Sequence, residues 1–299
     1  MKWISITTVL LLLVSVESTA QITIKTEYFG TSAYRDEHNQ KVGNSKGSAM
    51  VYHGSANLPL SMKKNESNQP TIWGIGLSGD YASLNNKNIA EPLVLSEILN
   101  LQMSLFHVRP LSEKWSMMAS VGVGVYTDDT RFSHLRFRSV LGSAGLVFVR
   151  RILPNLELGA GLALNNAFGY PMAFPALYVN WNYGHKLTCS FSALDGANLA
   201  VGYNVNKTFS ISFITEMGGQ MALTELNGDD KIFTHQYIVV GFRPEFKVSK
   251  HISVPVGINA VRNAYYDGRS LSAFFKAMGR EYDPCFQIAP YFSVSIVLQ

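Results

Sequence analysis

Histidine is the side chain most able to move a proton near neutral pH, so it is the first place to look for chemistry. The seven histidines are His38, His53, His107, His134, His185, His235 and His251. None sits in a metal-binding HExxH-like spacing, and most fall near turns or strand ends. A serine–histidine pair can still be assembled across strands, because such sites are defined by geometry and not by order. The local candidates are His134 with Ser133 or Ser139, and His235 with Thr234. No orienting acid or oxyanion donor accompanies them. No catalytic residue, cofactor or metal is therefore expected. A lipid-acting hydrolase stays as an alternative.

Two glycine patterns imitate known sites. Gly74-Ile75-Gly76-Leu77-Ser78-Gly79 satisfies a dinucleotide fingerprint, and Gly43-Asn44-Ser45-Lys46-Gly47 a nucleophile elbow. Both chemistries need a strand–turn–helix context. The first lies inside an alternating segment and the second in a polar stretch, so both are read as coincidences of a glycine-rich chain. Glu225, Asp229 and Asp230 offer hard oxygen ligands of the kind that hold divalent cations. Their spacing is unspecific, and a solvated acidic loop is the expectation.

The elements that must carry these residues alternate with period two, the mark of strands with one apolar face. Ile252, Val254, Val256, Ile258 and Ala260 oppose Ser253, Pro255, Gly257 and Asn259. Phe286, Ile288, Pro290, Phe292, Val294, Ile296 and Leu298 oppose Gln287, Ala289, Ser293 and Ser295. Leu156, Leu158, Ala160, Leu162 and Leu164 oppose Glu157, Gly159 and Gly161, and similar patterns begin at Trp115, Phe209 and Ile238. Short joins at 109–114, 153–155, 184–186, 204–207 and 249–251 alternate with longer polar ones near 36–46, 85–92, 128–134, 225–231 and 265–284; 63–70 is a mid-length exception. Outer-membrane barrels have short periplasmic turns and longer external loops. The fold expected is all-β: a single antiparallel transmembrane barrel of about 14 strands, or 12, because bacterial barrels use even numbers. The pair between Ser190 and Val205 is the hardest to place. Leu271, Phe274, Phe275 and Met278 are spaced like one helical face between Ser270 and Gly279, which predicts a short helix over 271–278 at the barrel mouth. Its neighbours Lys276 and Arg280 would be solvated, filter anions or meet lipopolysaccharide phosphates.

Composition agrees. The chain is 47% hydrophobic and only 15% charged, below the ~25% of soluble domains. No apolar run beyond the N-terminus reaches helix-spanning length, so the apolar residues are spread out, as when a strand shows lipid every second residue. A soluble sandwich would bury the same faces against each other. Aromatics near strand ends (Trp73, Tyr81, Trp115, Tyr126, Trp181, Tyr183 and Tyr203) favour the membrane. The net charge of +4 is scattered, which speaks against nucleic acid. Residues 1–20 read as a cleavable signal peptide, with Lys2, an apolar core from Ile4 to Val16 and the small residues Ser18-Thr19-Ala20. The barrel would then be 21–299, exported to the cell outer membrane. Cys189 and Cys285 look mismatched for a disulfide.

The signal ending Thr19-Ala20-Gln21, the turn Val108-Arg109-Pro110-Leu111-Ser112-Glu113-Lys114-Trp115, and the stretch from Gly169-Tyr170-Pro171 to Trp181-Asn182-Tyr183 resemble outer-membrane barrels of Bacteroidota-type bacteria. Among these is a porin-like family defined only as a domain of unknown function. The resemblance covers the mature chain and implies outer-membrane lipid, lipopolysaccharide and the barrel-assembly machinery as partners. Such barrels usually end in an aromatic residue, whereas this chain ends Val297-Leu298-Gln299.

The polar faces carry the functional expectation. Asp80, Asn100, Gln102, Glu157, Asn180, Asn182, Glu216, Arg243, Glu245 and Lys247 all lie opposite apolar faces and would point into the lumen. Charges there must be wet or paired. A water-filled path makes the protein a porin-like channel for small solutes. Pairing of Arg243 and Lys247 with Glu216, Glu245 or Glu157 makes it a closed structural or surface-interaction barrel.

Overall fold

A computed structural model describes residues 20–36, 38, 40–89, 95–131, 139–165, 172–184, 186–193, 196–247, 251–267, 285–286 and 288–298. The expected signal peptide and the 271–278 segment lie outside the described residues. The chain forms a closed antiparallel barrel of 14 strands, with no helix among the described residues. They are β1 (Gln21–Ser32), β2 (Lys46–Lys64), β3 (Pro70–Lys87), β4 (Glu97–Pro110), β5 (Trp115–Thr127), β6 (Val140–Leu153) and β7 (Leu156–Asn165). The ring continues through β8 (Met172–Tyr183), β9 (Leu187–Ala193), β10 (Ala197–Asn204), β11 (Phe209–Leu226) and β12 (Asp229–Lys247). The thirteenth, β13, runs as His251–Ser253 and Val256–Asp267, broken at Val254-Pro255, and β14 is Ala289–Leu298. Each strand pairs with its sequence neighbours, and β1 closes the ring by pairing with both β2 and β14. Two short pieces, Tyr34–Arg35 and Cys285–Phe286, extend the β1–β14 wall.

The outer face follows from the alternation. Ile24, Leu77, Met103, Val121, Leu162, Val201, Phe213, Ile258 and Phe292 all point outward and are exposed. At the short-turn end Trp73, Trp115, Trp181, Tyr183, Tyr203 and Phe246 face outward as an aromatic belt. Aromatic girdles of this kind mark a membrane–water boundary.

Strand lengths differ sharply, and this shapes the interior. β2 and β12 have 19 residues each and β3 and β11 have 18, whereas β9 has 7 and β10 has 8. The wall is therefore tall on one side and low on the other. Strand β10 pairs with residues 210–217 of β11, so from Gly218 onward one edge of β11 has no neighbouring strand among the described residues. Open edges in apolar surroundings leave backbone groups unsatisfied.

The β11 edge turns inward instead and lies against β4 and β5 of the opposite wall. Asn100 of β4 clasps it: Asn100 Nδ2 donates to the Met221 carbonyl at 2.6 Å, and the Met221 N–H donates to Asn100 Oδ1 at 3.2 Å. Thr224 Oγ1 donates to Asp128 Oδ2 at 2.6 Å. Both faces of the β11–β12 hairpin are consequently covered. Consecutive residues Ile232, Phe233, Thr234 and His235 are all buried, a pattern foreign to a strand with one lipid face. Leu223 and Ile232 pack with Leu141, Tyr126 and Met221, while Ala222 and Phe233 face the other way.

The fourteen-strand ring thus pinches into a smaller one. The main apolar core, including Phe29, Val51, Leu84, Ile98, Phe233, Tyr237 and Tyr291, draws on β11 to β14, β1 to β4 and the Cys285–Phe286 piece. An eight-strand barrel is just wide enough for side chains to fill. The low-wall strands enclose a second space faced by small residues such as Ser120, Gly122, Ser143, Gly145 and Gly161.

Two expectations are corrected here, and the pair left hard to place is resolved as expected. Positions 225–231 are not a loop. Strands run to Leu226 and from Asp229, joined by Asn227-Gly228 with φ of +54° and +90°. Asn-Gly adopts the left-handed conformations that a type I′ hairpin demands. Glu225 and Asp230 therefore face each other across strands. Phe286 belongs to the buried core and packs on Tyr34, not to the lipid face. The uncertain pair is two genuine strands, β9 and β10.

Candidate functional site

The inner face carries one connected ionic group, built from alternate residues of five strands. Glu27 of β1 is fully buried and accepts from Lys25 Nζ at 2.7 Å, from His53 Nε2, from the Tyr291 hydroxyl and, at 3.4 Å, from the Tyr237 hydroxyl. His53 Nδ1 meets Asp80 Oδ1 at 2.6 Å. Lys25 Nζ donates also to Glu216 Oε2 at 3.0 Å, and Arg243 Nη1 stands 3.6 Å from Glu216 Oε1. The run Asp80–His53–Glu27–Lys25–Glu216–Arg243 crosses the interior from β3 to β12. Taking such charges out of water costs several kcal/mol each unless partners and hydrogen bonds compensate. Here every carboxylate has a cation or imidazole beside it.

The ten polar positions separate into three groups. Asp80, Glu216 and Arg243 belong to the ionic group, and Asn100 clasps Met221. Gln102 is half-buried on the inner face beside Gly124, and Glu245 is half-buried on β12. Near the short turns, Glu157 meets Arg151 at 3.3 Å, Lys247 Nζ donates to Asn204 Oδ1 at 3.2 Å, and Asn182 donates to Asn180 Oδ1 at 3.4 Å. Arg243 pairs with Glu216, but Lys247 has taken an amide in place of a carboxylate. Sequence reasoning missed Lys25, Glu27, His53, Tyr237 and Tyr291 as a group. The signal was present in β1, where Lys25, Glu27 and Phe29 alternate with Ile24, Thr26 and Tyr28.

Beside this group lies a chamber of about 470 Å³, open to solvent. Lys25, Glu216 and Arg243 form one wall, and Tyr178, Asn180, Ser190, Ser192 and Asn198 of the low strands face them. It sits on the short-turn side of the inserted hairpin. Its lining mixes these charged and polar groups with Val179, Phe191, Leu199 and Ala200.

The hydrolase candidates fare differently. His235 is buried, and its Nδ1 lies 2.7 Å from Asn263 Oδ1, while Thr234 follows the alternation to the opposite face. The pair is not assembled. His134 and Ser133 lie outside the described residues. Gly74 to Gly79 is strand, and the fully buried Ser45 is followed by β2, not a helix. Among the described residues no cluster of His, Cys, Asp or Glu could hold a metal ion, and Cys189 is a free thiol.

A family profile described as Domain of unknown function (DUF6268) matches residues 16–299. The chain belongs to this family. A search of curated proteins finds no match. Among solved structures, the chain is similar to the COG4313 outer membrane channel from Pseudomonas putida F1, at 9% identity over 95% of this chain and 96% of that one, with a TM-score of 0.46. It is similar also to a deltaS2 mutant of the TodX monoaromatic hydrocarbon channel, at 11% identity, 94% and 90% coverage and a TM-score of 0.43. LpxR from Salmonella typhimurium is similar at 9% identity, with 93% and 99% coverage and a TM-score of 0.36.

Proposed function

We propose that this protein is a non-enzymatic, porin-like barrel of the bacterial outer membrane that passes small polar solutes through the chamber beside its filled ring. The observation that carries the reading is the 470 Å³ chamber walled by Lys25, Glu216 and Arg243 on one side and by Asn180, Ser190 and Asn198 on the other. A barrel built only for rigidity can fill its interior with packed and paired side chains, as the eight-strand ring does. The adjoining chamber instead presents the polar groups of Asn180, Ser190, Ser192 and Asn198 to open space. The aromatic belt at the short-turn end and the exposed apolar face support placement in a bilayer, with the short turns toward the periplasm. Outer-membrane lipid, lipopolysaccharide and the assembly machinery are the partners such a placement requires.

Conductance of the purified full chain in planar bilayers tests the proposal. Stepwise currents are expected, and replacing both Ser190 and Asn198 with Trp should reduce them severalfold by filling the chamber. Absence of any current from folded wild-type protein would refute the conduit. One observation favours a second reading. The filled ring, clasped at Asn100, suits a closed structural or surface-interaction barrel, and that reading predicts no current from wild type or variant.

A further inference from the structure

We infer that the chamber is a binding site for small solutes bearing a carboxylate, with Arg243 as the residue that grips it. The inference deepens the conduit reading and rests on it for the solute's passage, although binding itself needs no passage. A guanidinium carries five N–H donors in a fixed fork. Among the described residues Arg243 has one ion-pair partner, Glu216, and the 3.6 Å separation is too long for a hydrogen bond. Glu216 is engaged elsewhere, by Lys25 at 3.0 Å. The Arg243 side chain is 31% exposed and lines the chamber, so its donors face the solvent-filled space.

Charge balance points the same way. On the chamber wall Lys25 is shared between Glu216 and the buried Glu27, which leaves Arg243 as the cation with donors to spare. The next carboxylate, Glu27, is buried and occupied by Lys25, His53, Tyr237 and Tyr291. The opposite wall offers neutral amides and hydroxyls from Asn180, Ser190 and Asn198. A cation entering this space meets like charge, and a neutral solute gains hydrogen bonds alone. A carboxylate gains the planar two-point match to guanidinium as well. About 470 Å³ falls within the size of ordinary small-molecule pockets, and the amides and hydroxyls among its lining suit a hydroxylated body such as a sugar acid.

Isothermal titration of the detergent-solubilised full chain with D-glucuronate, D-glucose and D-glucosamine tests the site. Glucuronate should bind about tenfold more tightly than either other sugar. Arg243→Gln should bring glucuronate down to the glucose level, and Arg243→Lys should keep part of the preference. Ser190→Asp, on the far wall and outside the ionic group, should remove the preference by adding like charge without disturbing the fold. Equal binding of the three sugars, no binding, or an unchanged preference in folded Arg243→Gln or Ser190→Asp would overturn the site. Bilayer recordings separate the two proposals. Glucuronate binding without current overturns the conduit and keeps the site; current without a preference does the reverse.

Discussion

Replacing Asn100 with Leu tests whether the inward turn of β11 is clasped from the opposite wall. Asn100 is buried and spends both ends of its amide on one residue, accepting from the Met221 N–H at 3.2 Å and donating to the Met221 carbonyl at 2.6 Å. Leucine is nearly isosteric but offers neither bond, so two backbone groups on an unpaired strand edge lose their partners. Each buried orphan costs about 1–3 kcal/mol. Met221 is only half-buried, so water from the chamber side can partly replace the amide. The lower end applies, and the expected loss is about 2–3 kcal/mol. Asn100→Asp should fall between the two, because it keeps the acceptor for the Met221 N–H but sets an oxygen against the Met221 carbonyl. Reversible urea unfolding in lipid vesicles reads the stability, and amide exchange at Met221 reads the local opening. If Asn100→Leu unfolds within about 0.5 kcal/mol of wild type, the clasp is incidental. A double cycle with Thr224→Val, which removes the bond to Asp128, should show coupling above zero, because both contacts hold the same edge.

Two further perturbations test the layout. Glu27→Gln strips the central carboxylate from Lys25 and His53, which keep Glu216 and Asp80, and should destabilise the barrel by about 1.5–3 kcal/mol in the same unfolding assay, the usual worth of a hydrogen bond to a charged group. A loss under 1 kcal/mol would mean that water already reaches the group. Adjacent residues of β5 test the membrane placement. Val121 faces outward at mid-strand, and Arg there should cost about 2–4 kcal/mol, whereas Ser120→Arg on the open inner face should cost less than 1 kcal/mol. Equal costs would contradict a lipid-facing exterior.

Much of the wall was legible because a barrel strand writes its two faces into alternate residues. Ile252 to Ala260 and Leu156 to Leu164 needed no tertiary information, and the short joins placed the turns. The hairpin at Asn227-Gly228 was misread for a chemical reason. Glu225, Asp229 and Asp230 look like loop composition, yet Asn-Gly is itself a strong hairpin signal. The interior was harder. His53 and Asp80 lie 27 residues apart, and Tyr291 and Glu27 lie 264 apart, so only closure of the ring makes them neighbours. Alternation says that a residue points inward; it does not say what it meets there.

The contrast between filled ring and open chamber follows from a mismatch in strand height. Strands β9 and β10 are too short to cover the edge of β11, and a bilayer or its boundary gives an open edge no hydrogen bonds. Turning that edge across the lumen gives the Met221 backbone the Asn100 amide and the Thr224 hydroxyl the Asp128 carboxylate, and brings Phe233 and Ala222 against the β1–β3 wall. Apolar burial of about 1.5–3 kcal/mol for each large side chain then favours a dry core on that side. On the other side the short strands β9 and β10 present Ser190, Ser192 and Asn198 to the remaining width, which stays open. The ionic run from Asp80 to Arg243 passes through the fully buried Glu27 and ends at the wet chamber. Its last member, Arg243, is the one whose hydrogen-bond donors are left for a solute.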